Sequence, residues 1–245
     1  MQPPLCYNLN MNVFTSVGIL ILTMLIMAFL QLSTGIFLLF FHYCHGKYSR
    51  RKCSDMGLFY IIGVELCVAL IFLSTYFSLN ALYFATSNFD DTFLIWLIAG
   101  ILAALAIVIF FCYYHKGKNT KLFISRRLAS LLNEKAKNAK TRSDAFTLGF
   151  ISTIPELFFT IPIYIVATIE TMQIGDTPIV RSLLVILFIL SAVTPIIAAH
   201  MSMDFGYNLA NIEKTRIRNK NFTRAFVSLL YLIIAILIIT FKVIK

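Results

Sequence analysis

The sequence predicts an all-α, polytopic membrane protein: six transmembrane helices in two inverted three-helix repeats, with the first and fourth helices broken. Three observations carry that reading. Of 245 residues, 59% are hydrophobic and only 13% are charged, with a mean hydropathy of +0.84. A soluble domain runs near roughly 45–50% apolar and about 25% charged. Six apolar stretches are each long enough to cross a hydrocarbon core, which takes roughly 20 helical residues. None of them alternates in polarity as barrel strands do.

The six stretches run over Val13–Phe41, Gly57–Leu79, Phe93–Tyr113, Phe146–Ile169, Val180–His200 and Ala225–Val243. Residues 1–115 form a first three-helix repeat and residues 146–245 a second. A basic segment, 116–145, joins them. The start, Met1–Asn12, has no positive n-region and no small-residue cleavage site, so the first span is expected to stay in the protein.

Charge distribution predicts the orientation. Cys44–Met56 holds four Lys or Arg, Tyr114–Ala145 nine and Met201–Arg224 five, so 18 of the 21 lie on one side. The opposite connections, Asn80–Thr92 and Glu170–Ile179, carry Asp90, Asp91, Glu170 and Asp176 instead. Basic loops mark the cytoplasmic side. Both termini are therefore expected outside, in a cell (inner or plasma) membrane. The net charge of +10 is accounted for by basic loops facing anionic lipid. With no RNA- or DNA-reading motif, nucleic acid is not an expected partner.

Within the long basic segment, Leu122, Phe123, Leu128, Leu131 and Leu132 are interleaved with Arg126, Arg127, Lys135 and Lys137. That pattern predicts an amphipathic helix lying on the inner membrane surface as a linker.

The first and fourth spans align without gaps. Ala28-Phe-Leu-Gln-Leu-Ser-Thr-Gly-Ile-Phe-Leu-Leu-Phe-Phe-His-Tyr43 lies over Gly149-Phe-Ile-Ser-Thr-Ile-Pro-Glu-Leu-Phe-Phe-Thr-Ile-Pro-Ile-Tyr164. Phe37 falls on Phe158 and Tyr43 on Tyr164. A repeat of three spans must sit upside down in its second copy, the plan of many secondary transporters. Both aligned segments carry helix breakers or short polar residues at the matched place: Gln31, Ser33, Thr34 and Gly35 in the first, Ser152, Thr153, Pro155, Glu156 and Pro162 in the second. Proline removes a backbone donor. In lipid, backbone freed in this way survives only inside protein or beside a watery cavity. Two ordinary kinks are the alternative.

This plan resembles the small 3+3 exporters related to the LysE amino-acid exporters, and the transmembrane electron carriers of the DsbD and CcdA type. The latter likeness lies in the proline-rich segment Gly149–Tyr164. Those carriers place a cysteine in each matched helix. Ser33–Phe37 and Ile154–Phe158 contain none, so their redox chemistry does not carry over.

Two carboxylates fall inside predicted spans, Glu65 in the second and Glu156 in the fourth. An acid near the bilayer centre costs at least about 2.5–3.5 kcal/mol on insertion scales, so it usually faces the bundle interior and has a role. Burial favours its protonated form, which suits proton exchange. Both are expected to face one cavity as proton or cation sites, with Gln31, Ser33, Thr34, Ser152 and Thr153 as neutral ligands. Interhelical hydrogen bonding is the simpler alternative.

A second cluster lies at the basic helix ends: His42, Cys44, His45 and His115. These side chains suit soft or borderline metals, although their spacing matches no standard zinc motif. A bound metal ion is thus the only cofactor the sequence leaves open. Five cysteines, an odd number with no C-x-x-C pair, argue against a disulfide framework. There is no H-E-x-x-H, G-x-S-x-G, P-loop or G-x-G-x-x-G. The expected function is a secondary transporter, an exporter of a small solute such as a cation, metal ion or amino acid. A non-transporting scaffold and a membrane-embedded metal-dependent enzyme are the alternatives. The expected partners are that solute or ion and the lipid bilayer, with a homo-oligomer left open.

Overall fold

The computed structural model describes residues 5–29, 32–85, 91–112, 126–175, 177–205, 218 and 220–243. Within them the chain is helical, without strands: α1 (Leu5–Phe29), α2 (Leu32–His45), α3 (Arg50–Ala85), α4 (Asp91–Cys112), α5 (Arg126–Asn138), α6 (Arg142–Thr153), α7 (Leu157–Ile174), α8 (Pro178–Asp204) and α9 (Lys220–Ile238). Five helical runs are long and apolar enough to cross a membrane, namely Val13–His45, Arg50–Ala81, Arg142–Ile174, Pro178–Met203 and Phe222–Phe241. A shorter apolar stretch, Trp96–Phe111, lies within α4. The chain is a multi-pass helical membrane protein.

Local chemistry explains several helix ends. Thr141 and Asp144 form a reciprocal capping box at the start of α6. The Thr177 hydroxyl accepts from the Val180 N–H at the start of α8, with Pro178 in the first turn. At the end of α7, Arg181 Nε donates to the Gly175 carbonyl at 2.6 Å. That places a cation where the helix dipole favours one.

Packing is uneven along the bundle. α3 crosses α6 with backbones in contact: a Cβ at Gly63 would collide with the Phe146 carbonyl, and one at Gly149 with the Tyr60 carbonyl. Small residues are what allow membrane helices to approach so closely. Beside this crossing the Tyr60 hydroxyl donates to Ser152 Oγ at 2.8 Å, and Ser152 donates to the Gly149 carbonyl at 2.7 Å. α7 packs against α1, α3, α4 and α8, while α4 pairs with α9.

The basic segments 44–56 and 116–145 meet, in their described parts, at one end of the bundle beside the end of α8. Lys47 on the α2–α3 turn donates to the Lys137 carbonyl of α5 at 2.6 Å. Arg142 of α6 pairs with Asp55 of α3 at 2.9 Å, and Arg50 of α3 donates to the Met203 carbonyl of α8 at 3.1 Å. Between α3 and α8, His200 Nε2 lies 3.0 Å from the Ser54 carbonyl. Its ring fills the place a side chain at Gly57 would occupy, 2.7 Å from a Cβ built there.

Three expectations change here. The amphipathic helix exists as α5, with Leu122 and Phe123 outside the described residues and Leu131 42% exposed, but part of its apolar side is covered by protein. Leu132, Ala136 and the following Ala139 are buried, and α5 packs on α2 and α6. Second, the connection expected from Glu170 is helical to Ile174, and Glu170 is buried in α7. Third, the break in the fourth span is a single 3-10 turn, Ile154–Glu156. Thr153 and Glu156 keep right-handed helical dihedrals there, so the turn is tightened rather than unwound. Of the matched break in the first span, residue 31 lies outside the described residues, and 33–35 are helical within α2.

Candidate functional site

The interior of the bundle holds a polar seam on α7 and the turn before it. Glu156, Thr160, Tyr164 and Thr168 recur every fourth residue, and Thr171 follows one turn on. Four-residue spacing stacks side chains on one helical face. All five are buried, with Glu156 only 4% exposed. Glu170 extends the buried polar set at 1% exposure.

The hydroxyls along the seam divide into two kinds. Thr160 donates to the Glu156 carbonyl at 3.2 Å, and Thr171 to the Ala167 carbonyl at 2.7 Å. Such bonds to the preceding turn are common for threonine in helices. The Tyr164 and Thr168 hydroxyls, one turn apart, are buried and have no partner in hydrogen-bonding geometry among the described residues. Thr160 is the polar neighbour beside Tyr164. Buried polar atoms left in this state are rare enough to call for an explanation.

Neighbouring helices complete the seam. The Cys67 thiol on α3 meets Thr153 and lies near Glu156. On α1, Ser16 and Thr23 are buried, and Ser16 Oγ donates to Gln173 Oε1 of α7 at 3.2 Å. From α9, the Tyr231 hydroxyl donates to the Phe159 carbonyl at 2.8 Å, between Pro155 and Pro162. The rings of Phe72 and Phe188 flank Tyr164 at centroid distances of 6.2 and 5.8 Å.

The sequence-derived ligands separate on this frame. Glu156, Thr153 and Pro155 share the 3-10 turn and its approach. Ser152 is engaged in the α3–α6 crossing, with Tyr60 donating to it and its own proton given to Gly149. Thr34 is half-buried in the first turn of α2. Gln31 lies outside the described residues, as does the Ser33 side chain.

Glu65 and Glu156 do not share a cavity. Glu65 lines a groove between α3 and α8 with Ile62, Leu66, Ala69, Ile186, Ile189 and Leu190. The reason is helical geometry: Cys67, which α3 presents toward Thr153 and Glu156, lies two positions on from Glu65, about 200° around the helix.

Of the expected metal ligands, His42, Cys44 and His45 can be placed, and they do not converge. Among the described residues no three His, Cys, Asp or Glu side chains come together. His42 and His45 are exposed, while Cys44 turns into the core and is 3% exposed. Its neighbour there is Cys53, also buried. His115 lies outside the described residues.

Sequence reasoning missed the α7 seam although its signal is visible. The polar residues of Glu156-Leu-Phe-Phe-Thr-Ile-Pro-Ile-Tyr-Ile-Val-Ala-Thr168 fall at every fourth position, a period that marks one helix face. No protein-family model, curated protein or solved structure matches this chain.

Proposed function

We propose that this protein is a small-solute secondary transporter, an exporter built as a 3+3 inverted repeat of six membrane helices. Its coupling group is Glu156. The single observation that carries the reading is the buried seam: a carboxylate at a proline-interrupted turn, continued by stacked hydroxyls, two of them without a hydrogen-bond partner among the described residues. A carboxylate with hydroxyl oxygens suits a proton or a hard cation better than a soft metal. A solute bearing hydrogen-bonding groups would satisfy Tyr164 and Thr168.

Helix contacts support the repeat. Exchanging α1 with α6, α2 with α7, α3 with α8 and α4 with α9 carries the contact α3–α6 onto α1–α8, and α1–α7 onto α2–α6. It likewise carries α3–α7 onto α2–α8 and α2–α3 onto α7–α8, and leaves α4–α9 and α3–α8 on themselves. The contacts α1–α9 and α4–α7 depart from the pattern. The likeness to LysE-type exporters rests on this architecture and on the aligned segments of the two halves. The convergence of the basic segments supports placing that end in the cytoplasm, with both termini outside the inner or plasma membrane.

The test is solute-evoked flux in proteoliposomes, screening metal cations, alkali cations and amino acids across a pH gradient. Wild type should move one solute class, and Glu156→Gln should lose the coupled component while remaining folded. Unchanged flux in Glu156→Gln would remove the coupling role.

A further inference from the structure

Glu65 occupies a position that the interior seam does not explain. It projects from α3 into a groove of about 340 Å³ shared with α8, a size within the range of small-ligand sites, roughly 300–1,000 Å³. The groove is formed by one ridge of each helix, Ile62–Glu65–Leu66–Ala69 against Ile186–Ile189–Leu190. Ile62, Leu66, Ile186 and Leu190 are 48%, 43%, 53% and 44% exposed, on helical runs long and apolar enough to cross a membrane. The groove therefore opens toward hydrocarbon, not toward the bundle interior.

Glu65 is the one ionisable residue among its lining. Among the described residues it has no hydrogen-bond or ion-pair partner; the ion pair of Arg142 with Asp55 lies at the basic end. A carboxylate facing lipid is costly unless neutralised. Its attraction for a counter-charge is also far stronger in that medium than in water. The occupant that answers both features carries one positive charge for the carboxylate and an apolar body for the aliphatic walls. It also has to reach the site through the bilayer.

We propose that the α3–α8 groove is a membrane-accessible binding site for a lipophilic organic monocation, with Glu65 as its counter-charge. The site is separate from the Glu156 seam and independent of whether that seam transports.

The experiment is equilibrium binding of radiolabelled tetraphenylphosphonium to the full-length protein in neutral detergent. Wild type should bind it saturably. Glu65→Gln, which keeps the shape and removes the counter-charge, should weaken binding by roughly tenfold or more. Leu190→Trp, which fills the groove and keeps the carboxylate, should weaken it comparably. Glu156→Gln should bind as wild type does. All variants are compared as monodisperse protein, so that either groove variant alone suffices if the other fails to fold. Absence of saturable binding to wild type overturns the proposal, as does equal binding by Glu65→Gln. Loss in Glu156→Gln but not in Glu65→Gln would move the cation into the seam. If Glu65→Gln binds normally but changes the oligomeric mass, the groove belongs to a second copy of the chain instead.

Discussion

The two faces of α3 meet their neighbours in opposite ways. On one, Gly63 and Gly149 let α3 and α6 touch backbone to backbone, and nearby the Tyr60 hydroxyl donates to Ser152, which donates to the Gly149 carbonyl. On the other, Ile62, Leu66, Ile186 and Leu190 flank a groove against α8 that contains Glu65. The helices belong to one bundle and the lipid around them is the same. What differs is side-chain size at the crossing: glycines remove the spacer, whereas branched aliphatic chains impose one. In a membrane, where burial of apolar surface between helices gains little over lipid, that packing difference decides how closely two helices sit. It also decides the setting of polar groups, since a hydroxyl at a close crossing finds a partner within the protein.

The comparison can be broken most severely at the close crossing. Gly149→Val places branched carbon against the Tyr60 carbonyl, where backbone cannot yield cheaply. The expected cost is about 3 kcal/mol or more, at the upper end of overpacking effects. Thermal unfolding in detergent should show it as a large fall in Tm or as failure to yield folded protein. Wild-type stability in this variant would mean that α3 and α6 do not cross here.

A gentler change sharpens the same contrast. Tyr60→Phe removes the donor to Ser152 but keeps the ring and the glycine contact. Interhelical hydrogen bonds of this kind are worth about 0.6 kcal/mol on average. A small drop in stability with an unaltered fold is expected by denaturant titration. A loss as large as that of Gly149→Val would show that the hydroxyl pair, not the glycines, holds the crossing.

The smallest effect belongs to the basic end. Arg142 and Asp55 pair at 2.9 Å, but their side chains are 62% and 42% exposed. Arg142→Ala should cost less than about 1 kcal/mol, and added salt should erase the difference. A salt-insensitive loss greater than this would mean that Arg142 contributes by packing, through its place over the Phe59 ring at 5.5 Å.

Much of the fold is legible in the chain. Apolar length and composition mark the spans, and Thr141 with Asp144 and Thr177 with Pro178 mark two helix starts by local capping chemistry. The basic runs are likewise visible, and the structure draws the described parts of the first two to one end. Boundaries were less legible. α7 extends to Ile174, past the end expected at Ile169; hydropathy places that end early because Glu170 and Thr171 are polar and polarity reads as an exit from the membrane. In the bundle both are buried, as polar groups on an interior face can be. α5 was legible as amphipathic, but its pattern cannot distinguish lipid from the ends of α2 and α6 as the surface that covers Leu132.

The candidate site divides along the same line. Glu156 and its proline-marked turn stand out in the sequence because a carboxylate and helix breakers in an apolar run have few other uses. The Thr160–Tyr164–Thr168 continuation is equally encoded, through a period of four that local reasoning can detect. Whether Glu65 joins Glu156 is a different kind of question.

By itself, then, the sequence determined that the chain is helical and membrane-spanning, where several helices begin, and that its basic segments share a side. Those properties follow from hydropathy, capping and charge, which act within one segment and its solvent. Only the tertiary structure decided that the two carboxylates part company, that Ser152 is engaged with Tyr60, and that Cys44 turns from the histidines beside it toward Cys53. Each outcome depends on which helix lies against which face. That is set by steric fit between residues far apart in the chain, such as Gly63 with Phe146 and Gly57 with His200.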